Sequence, residues 1–191
     1  MKNMGFLTNI LSRTLFRSTF RDIDRLLEDV HAGKPIPKTE PNPKSGVLNI
    51  EGSTLSYASP DYGNWRIQVS EIIAFGEYTT DNGPMIDDWF MVFVNREFNW
   101  VEASNYCAGR GEVRNELAKR GSLESPYGQL WGRTTFASRV IWPQALAEKP
   151  LFEFEERSQT ILEKVKSLGM GLIDKNLTPE VRQKLQSIPK S

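Results

Sequence analysis

The sequence predicts an α+β protein: an antiparallel, strongly curved sheet or split barrel of about six strands, followed by a helix, with further helices at both chain ends. Three observations predict this class. Apolar residues recur with period two between Val47 and Ser104, turn signals divide that stretch into short segments, and helical periodicity precedes and follows it. Antiparallel pairing is favoured because parallel strands need crossovers of a dozen or more residues.

The chain divides into four predicted regions of different composition. In order they are an N-terminal amphipathic helix at 1–33, a proline-rich linker at 34–46, a sheet domain with its helix at 47–147, and a C-terminal helical extension at 148–191. The first helix is predicted by apolar residues three and four positions apart, from Phe16 to Val30, and ends at Gly33. Four prolines make the linker extended, because proline disfavours a helix before it.

The sheet is predicted strand by strand from alternation and turns. Val47 to Glu51 and Leu55 to Tyr57 flank Gly52-Ser53 and form a first hairpin. Four further alternating or apolar stretches follow, at 65–69, 73–75, 89–94 and 100–104. The stretch at 89–94 is almost continuously apolar, which is typical of a central strand.

The part of the chain after residue 104 is predicted to be mainly helical. A helix is expected from about Gly111 to Arg120, then a short strand at 139–142, one helical turn at 143–147 and an extended piece at 150–154. Two closing helices are expected, at 155–168 and 178–187. Thr178 is the predicted cap of the last helix, and Pro179 its first residue.

Composition limits the classes of function. The 191 residues carry 24 basic and 24 acidic side chains, so no overall positive field favours nucleic acid. One cysteine, Cys107, and one histidine, His31, cannot form an internal disulfide or a Cys/His zinc site. No apolar run reaches the roughly 20 residues that span a bilayer. We expect a cytoplasmic protein without a metal or other cofactor, with association to a membrane surface as the alternative.

Two catalytic or cofactor-binding arrangements can be weighed against structural roles. Cys107 with His31 could be a nucleophile and its base, but no oxyanion-hole motif accompanies them, so structural roles are expected. Gly109-Arg110-Gly111 could hold a phosphate at a helix start, but Arg114 replaces the third glycine of the dinucleotide fingerprint. We therefore expect a strand-to-helix turn there and no enzyme activity.

The clearest charge feature is an acidic stretch on the predicted strands. Residues 70–105 contain seven acidic residues against one arginine, a net charge of 1 − 7 = −6. With nearby aromatic residues, these acids would suit a basic protein partner, because aromatic side chains anchor an interface and acidic side chains raise the rate of encounter. A metal site or an acid/base pair, or simply a solvated face, are the alternatives. The predicted partner-binding residues are Glu77, Asp81, Asp87, Asp88, Trp89 and Trp100.

The N-terminal segment is basic and amphipathic. Residues 1–21 carry four basic side chains and no acid. Such a segment can pack on the sheet as part of the core, lie on an anionic lipid surface, or act as a targeting sequence. For the lipid alternative, the candidate membrane-surface residues are Phe6, Leu7, Arg13, Phe16 and Arg17.

The layout of about six strands and one amphipathic helix resembles the pleckstrin-homology-like split barrel, and within it small bacterial domains that are poorly characterised or of immunity-protein type. The residues that carry the resemblance are Trp65 to Phe75, Asp88 to Val94, Trp100 to Ser104 and Gly111 to Leu117. It covers roughly residues 47–142, and the usual barrel has seven strands where six are counted here. The resemblance implies binding of a peptide, lipid head group or toxin without catalysis.

These observations predict a non-catalytic binding module. It would bind an unidentified protein through the acidic, aromatic-bearing sheet region, with a toxin-immunity role as the sharpest version. The alternative is a peripheral membrane protein that uses its N-terminal helix. The partner's identity and the oligomeric state are not specified by the sequence.

Overall fold

We describe the protein from a computed structural model. The described residues are 41–80, 87–121, 130, 133, 135–156 and 173–187. All of them belong to one compact unit, Glu40–Ser191. They form antiparallel sheets with two α-helices, so the α+β class is confirmed.

The first sheet contains three antiparallel strands in the order β1-β2-β3. The strands are β1 (Val47–Glu51), β2 (Thr54–Ser59) and β3 (Gly63–Gln68). The predicted first hairpin is confirmed, with Glu51 paired to Thr54 across Gly52-Ser53. Gly52 has a φ of 58°, which glycine adopts without steric cost.

The second sheet contains four antiparallel strands in the order β6-β5-β4-β7. They are β4 (Ile72–Thr79), β5 (Trp89–Asn95), β6 (Trp100–Ser104) and β7 (Ala137–Trp142). Six of the seven residues of β5 are buried. An almost unbroken apolar strand forms there because the sheet is covered on both faces.

Helix α1 (Arg110–Gly121) follows β6, as predicted. Beyond β7, a turn at Gln144–Leu146 leads to a two-stranded sheet of β8 (Phe152–Glu156) and β9 (Ile173–Leu177). The chain then enters helix α2 (Pro179–Gln186). The predicted cap is confirmed, because Thr178 accepts a hydrogen bond from the Val181 amide.

Alternation along the strands divides the core between the two faces of the four-stranded sheet. We call the first face the one that carries Phe75, Met91 and Phe93, which pack with residues of the three-stranded sheet and α1. We call the second face the one that carries Tyr78 and Val92; there the buried cluster includes residues of β8 and α2. The described part of the C-terminal extension therefore contributes to the core.

Three features of the fold differ from the prediction. The six strands before α1 are divided between two sheets, and the described residues form no closed barrel. β9 was not predicted, and Glu155, the expected start of a helix, lies in β8. Residues 41–46 of the predicted linker include a 3-10 turn, Pro43–Ser45, whose last carbonyl accepts a 2.6 Å bond from the Tyr57 hydroxyl. Residues 1–33 and 157–168 lie outside the described residues.

Candidate functional site

The first face carries a buried ion pair toward one end of β4. Glu77 on β4 lies directly opposite Arg139 on β7. Its Oε1 accepts a 2.5 Å bond from Arg139 Nε, and its Oε2 accepts a 2.7 Å bond from the indole Nε1 of Trp89. The carboxylate is 0% exposed. Both of its oxygens are thus used by protein donors, as a buried charge requires.

A second buried cation lies beside this pair. Arg114, on the covered side of α1, has its guanidinium 5.2 Å from the ring centroid of Trp89. Its Nη2 donates to Oδ1 of Asn105, and its Nε lies 3.5 Å from the sulfur of Met91. We call Glu77, Trp89, Asn105, Arg114 and Arg139 the buried ionic cluster.

Burial dominates the electrostatics of Arg114. Removal from water lowers the pKa of its guanidinium to about 10, although the charge of Glu77 acts in the opposite direction. Arg139 has a second carboxylate partner, Glu148, whose side chain is 63% exposed. Among the described residues, the buried charged groups at this place are the guanidinium groups of Arg114 and Arg139 and the carboxylate of Glu77. Such an arrangement is costly, because buried charges need close partners.

At the start of β5 two carboxylates are held by hydroxyl donors. Asp87 Oδ2 accepts a 2.5 Å bond from Ser104 Oγ, and Asp88 Oδ1 accepts a 2.8 Å bond from the Tyr106 hydroxyl. Both carboxylates are partly buried. Burial raises the pKa of Asp88, while the bond from Tyr106 opposes that shift. These hydrogen bonds thus hold both carboxylates in place.

Exposed groups complete this end of the molecule. Tyr62, in the turn between β2 and β3, is 39% exposed, and its ring contacts Phe90 edge-on at 5.4 Å. Burial and the nearby charge of Asp87 raise the pKa of Tyr62. Burial and the charge of Asp88 likewise raise the pKa of Tyr106, against the opposing charge of Arg110. We call this surface the acidic rim; it consists of Asp61, Tyr62, Asp87, Asp88 and Tyr106.

The second face carries a separate charged group, which we call the lysine cluster: Tyr78, Trp100, Glu102 and Lys175. Lys175 Nζ, from β9, donates to Glu102 Oε1 at 2.6 Å and to the Tyr78 hydroxyl at 2.8 Å. The ammonium lies 4.1 Å from the ring centroid of Tyr78. Trp100 Nε1 also donates to Glu102, at 2.8 Å. The cluster connects β9 to the four-stranded sheet.

The predicted partner-binding residues are therefore found in three places. Glu77 and Trp89 are buried, so the expectation that they contribute to an exposed face is wrong; the ion pair with Arg139 explains the position of Glu77. Asp87 and Asp88 lie at the acidic rim. Trp100 belongs to the lysine cluster. Asp81 lies outside the described residues, as do the lipid candidates Phe6, Leu7, Arg13, Phe16 and Arg17.

The residues weighed for catalysis and phosphate binding have structural explanations. Burial raises the pKa of the Cys107 thiol to about 12, so the thiolate needed for nucleophilic attack is scarce at neutral pH. A Cβ on Gly109, which has a φ of 77°, would lie 2.0 Å from the carbonyl oxygen of Leu48. This close approach to β1 explains the glycine without a ligand. His31 lies outside the described residues.

Sequence reasoning missed the remaining members of these sites. The sequence singles out Arg114 only as a departure from the dinucleotide fingerprint, and it does not single out Asn105, Tyr62, Tyr106 or Lys175. The one usable signal was the position of Arg114 next to Val113, on the apolar stripe of α1. Tyr62, Asn105 and Tyr106 lie in or near turns, where no regular spacing of residues indicates which side chains take part in a site.

The described residues also bear on whether the site holds a metal or lies in a membrane. Within the described ranges, no three His, Cys, Asp or Glu side chains are grouped in a way that could hold a metal ion. The helices described here include none with the length and apolar character needed to cross a bilayer. The chain matches no protein-family model, no curated protein and no solved structure.

Proposed function

We propose that this protein is a non-catalytic binding module whose acidic rim binds a basic side chain of a protein partner. One observation carries the proposal. Asp87 and Asp88 are each held by a hydroxyl donor, and Tyr62 lies exposed beside them. Among the described residues, Tyr62 and Val47 are the exposed large hydrophobic side chains.

The physical argument concerns preorganisation. Carboxylates that are already fixed lose little conformational freedom on binding, so more of the interaction energy remains as affinity. A lysine or arginine that pairs with Asp87 or Asp88 can also lay its aliphatic stem and its charge against the ring of Tyr62. Tyrosine and arginine are the residues most often found at the energetic centre of an interface.

Two further considerations support a binding role. The raised pKa of Cys107 and of the described tyrosines at the rim leaves these groups protonated, which does not favour nucleophilic catalysis. The resemblance to pleckstrin-homology-like split barrels implies binding of peptides, lipid head groups or toxins. In its sharpest form the proposal is an immunity-type protein that neutralises a toxin with a basic binding surface.

The test compares two double variants as baits in a native lysate. Asp87→Asn with Asp88→Asn removes two charges at the rim, and Glu153→Gln with Glu155→Gln removes two exposed charges from β8. We expect one stoichiometric protein to bind the unmodified chain and the β8 variant, and to be lost from the rim variant. Because salt screens exposed charges, its binding should also weaken between 0.1 and 1 M salt.

Equal capture by both variants would refute the rim as the binding surface. Vesicles of anionic lipid supply the second arm. Sedimentation with vesicles that needs Arg13 and Arg17 but not Asp87 and Asp88 would favour the alternative, a membrane-surface protein. A partner retained after both charge changes would point to a different, uncharged surface.

A further inference from the structure

The buried ionic cluster contains a polar group without a partner. Asn105 is 0% exposed, and its Nδ2 has no hydrogen-bond partner. Its Oδ1 is used, because it accepts from Arg114. Buried side-chain amides normally use both ends, so an unpaired donor of this kind calls for an explanation.

The neighbouring guanidinium also has unused donors. Arginine has five N–H donors. Arg114 directs Nη2 to Asn105 and Nε to the sulfur of Met91, which is a weak acceptor. Across the part of the chain that the structure describes, no carboxylate forms an ion pair with Arg114. The residue is nevertheless only 4% exposed.

The nearby carboxylate of Glu77 is bound to other donors. Glu77 lies close enough to influence Arg114 electrostatically, but its two oxygens already accept from Arg139 and Trp89. Trp89 also covers the guanidinium of Arg114 with its ring. The unpaired Asn105 Nδ2 and a buried guanidinium with no carboxylate partner among the described residues therefore lie side by side.

We infer that Arg114 and Asn105 form a buried binding site for a small carboxylate anion the size of formate or acetate. One carboxylate oxygen would accept from the Arg114 guanidinium, and the other from Asn105 Nδ2. The negative charge would lie beside the buried guanidinium of Arg114. The size limit follows from burial, since neither side chain is open to a large molecule. This inference is independent of the partner proposed for the acidic rim.

Formate is the probe for a direct test on the full chain. Thermal unfolding is followed in sodium formate and in sodium chloride at the same ionic strength, because chloride lacks the two oxygens with which a carboxylate accepts from two donors. A ligand that binds only the folded state raises Tm by mass action, by about 3–6 °C at ten times its Kd for a chain of this size. We expect that rise with formate over chloride. Identical Tm in both salts would overturn the inference and leave a structural water as the occupant.

Three variants locate the site. Arg114→Met should lose the formate effect, whereas Arg120→Met, which removes an exposed arginine of the same helix, should keep it. If Arg114→Met does not fold, Asn105→Asp decides, because it places a carboxylate of the chain itself beside Arg114. We expect Asn105→Asp to fold and to lose the dependence on formate. An undiminished formate effect in Asn105→Asp would overturn the assignment of the site.

Discussion

The two faces of the four-stranded sheet differ in how far their charged side chains are removed from water. On the first face Glu77 and Arg139 are almost completely removed from water, and Arg114 is buried beside them without a carboxylate of its own among the described residues. On the second face Lys175 and Glu102 keep about a fifth to a quarter of their side-chain surface exposed and rest against aromatic rings.

This difference separates two uses of ion pairs. Partly exposed pairs cost little to desolvate and contribute modestly to stability. A buried pair needs every oxygen and nitrogen satisfied, and even then a hydrophobic replacement is often as stable. The second face can therefore be explained by stability alone. The first face retains costly charges, which is why we locate a ligand site there.

The largest expected effect comes from breaking the buried pair. Glu77→Gln should lower the free energy of unfolding by about 3–5 kcal/mol, because the guanidinium groups of Arg139 and Arg114 would lose the buried carboxylate beside them. Urea unfolding monitored by tryptophan fluorescence measures the change. Glu155→Gln, an exposed acid on β8, is the control and should stay within about 0.5 kcal/mol. A loss below about 1 kcal/mol for Glu77→Gln would show that water reaches the pair.

The next effect tests the apolar packing of the second face. Leu185, buried on α2, packs in the same cluster as Val92 and Phe152. Leu185→Ala should lower the free energy of unfolding by about 2–4 kcal/mol. Unfolding should remain a single transition, because α2 shares the core with the sheet. Gln183→Ala, exposed on the same helix, is the matched control. An early separate transition in urea would mean that α2 unfolds independently of the sheet.

A smaller effect is expected for the ion pair of the second face. Lys175→Met keeps the chain length over the ring of Tyr78 but removes the charge and its two hydrogen bonds. Glu102 would still accept from Trp100 and Tyr78. We therefore expect the free energy of unfolding to fall by only about 1 kcal/mol, and by less than that in 1 M salt. A loss as large as that of Glu77→Gln would remove the contrast between the two faces.

The smallest expected effect concerns Asp88 and pH. The pKa of Asp88 is raised in the folded state, mainly by burial, so that between the ordinary Asp value of about 3.9 and its own value the folded chain binds more protons than the unfolded chain. Its contribution to stability therefore falls as pH rises through that window.

Asp88→Asn removes this dependence. Below pH 4 the variant should be as stable as the unmodified protein. At pH 7 its free energy of unfolding should be higher by less than about 1 kcal/mol. The same variant should weaken the proposed partner binding at the rim. Unfolding midpoints from pH 3.5 to 7 measure the difference. Lower stability of Asp88→Asn at pH 7 would indicate that the carboxylate is structural rather than kept for binding.

Local patterns predicted most of the fold. The first hairpin, β5, β6, α1, β7 and the capped helix α2 all follow from alternation, apolar runs, glycine stops and the Thr178-Pro179 start. β9 was missed because Asp174, Lys175 and Asn176 give it no apolar alternation. β9 forms because it pairs with β8 and because Lys175 contacts Tyr78. Neither contact can be seen in the local sequence of the strand.

The candidate sites could be predicted only in part. Asp87 and Asp88 were identified from local charge, and the structure places both at the rim. Glu77 was assigned to the surface because a charged residue in a strand usually is exposed. Its partner Arg139 is 62 positions further along the chain, and no short-range rule connects the two.

The sequence by itself determined the class of fold, the order of most elements and the acidic character of residues 70–105. These follow from propensity, periodicity and charge, which act between near neighbours. Only the tertiary structure decided which charges are buried and which of them lack a partner. Burial and pairing depend on which strands become neighbours, so Glu77, Asn105 and Arg114 acquire their chemistry from residues that the sheet and α1 bring to them.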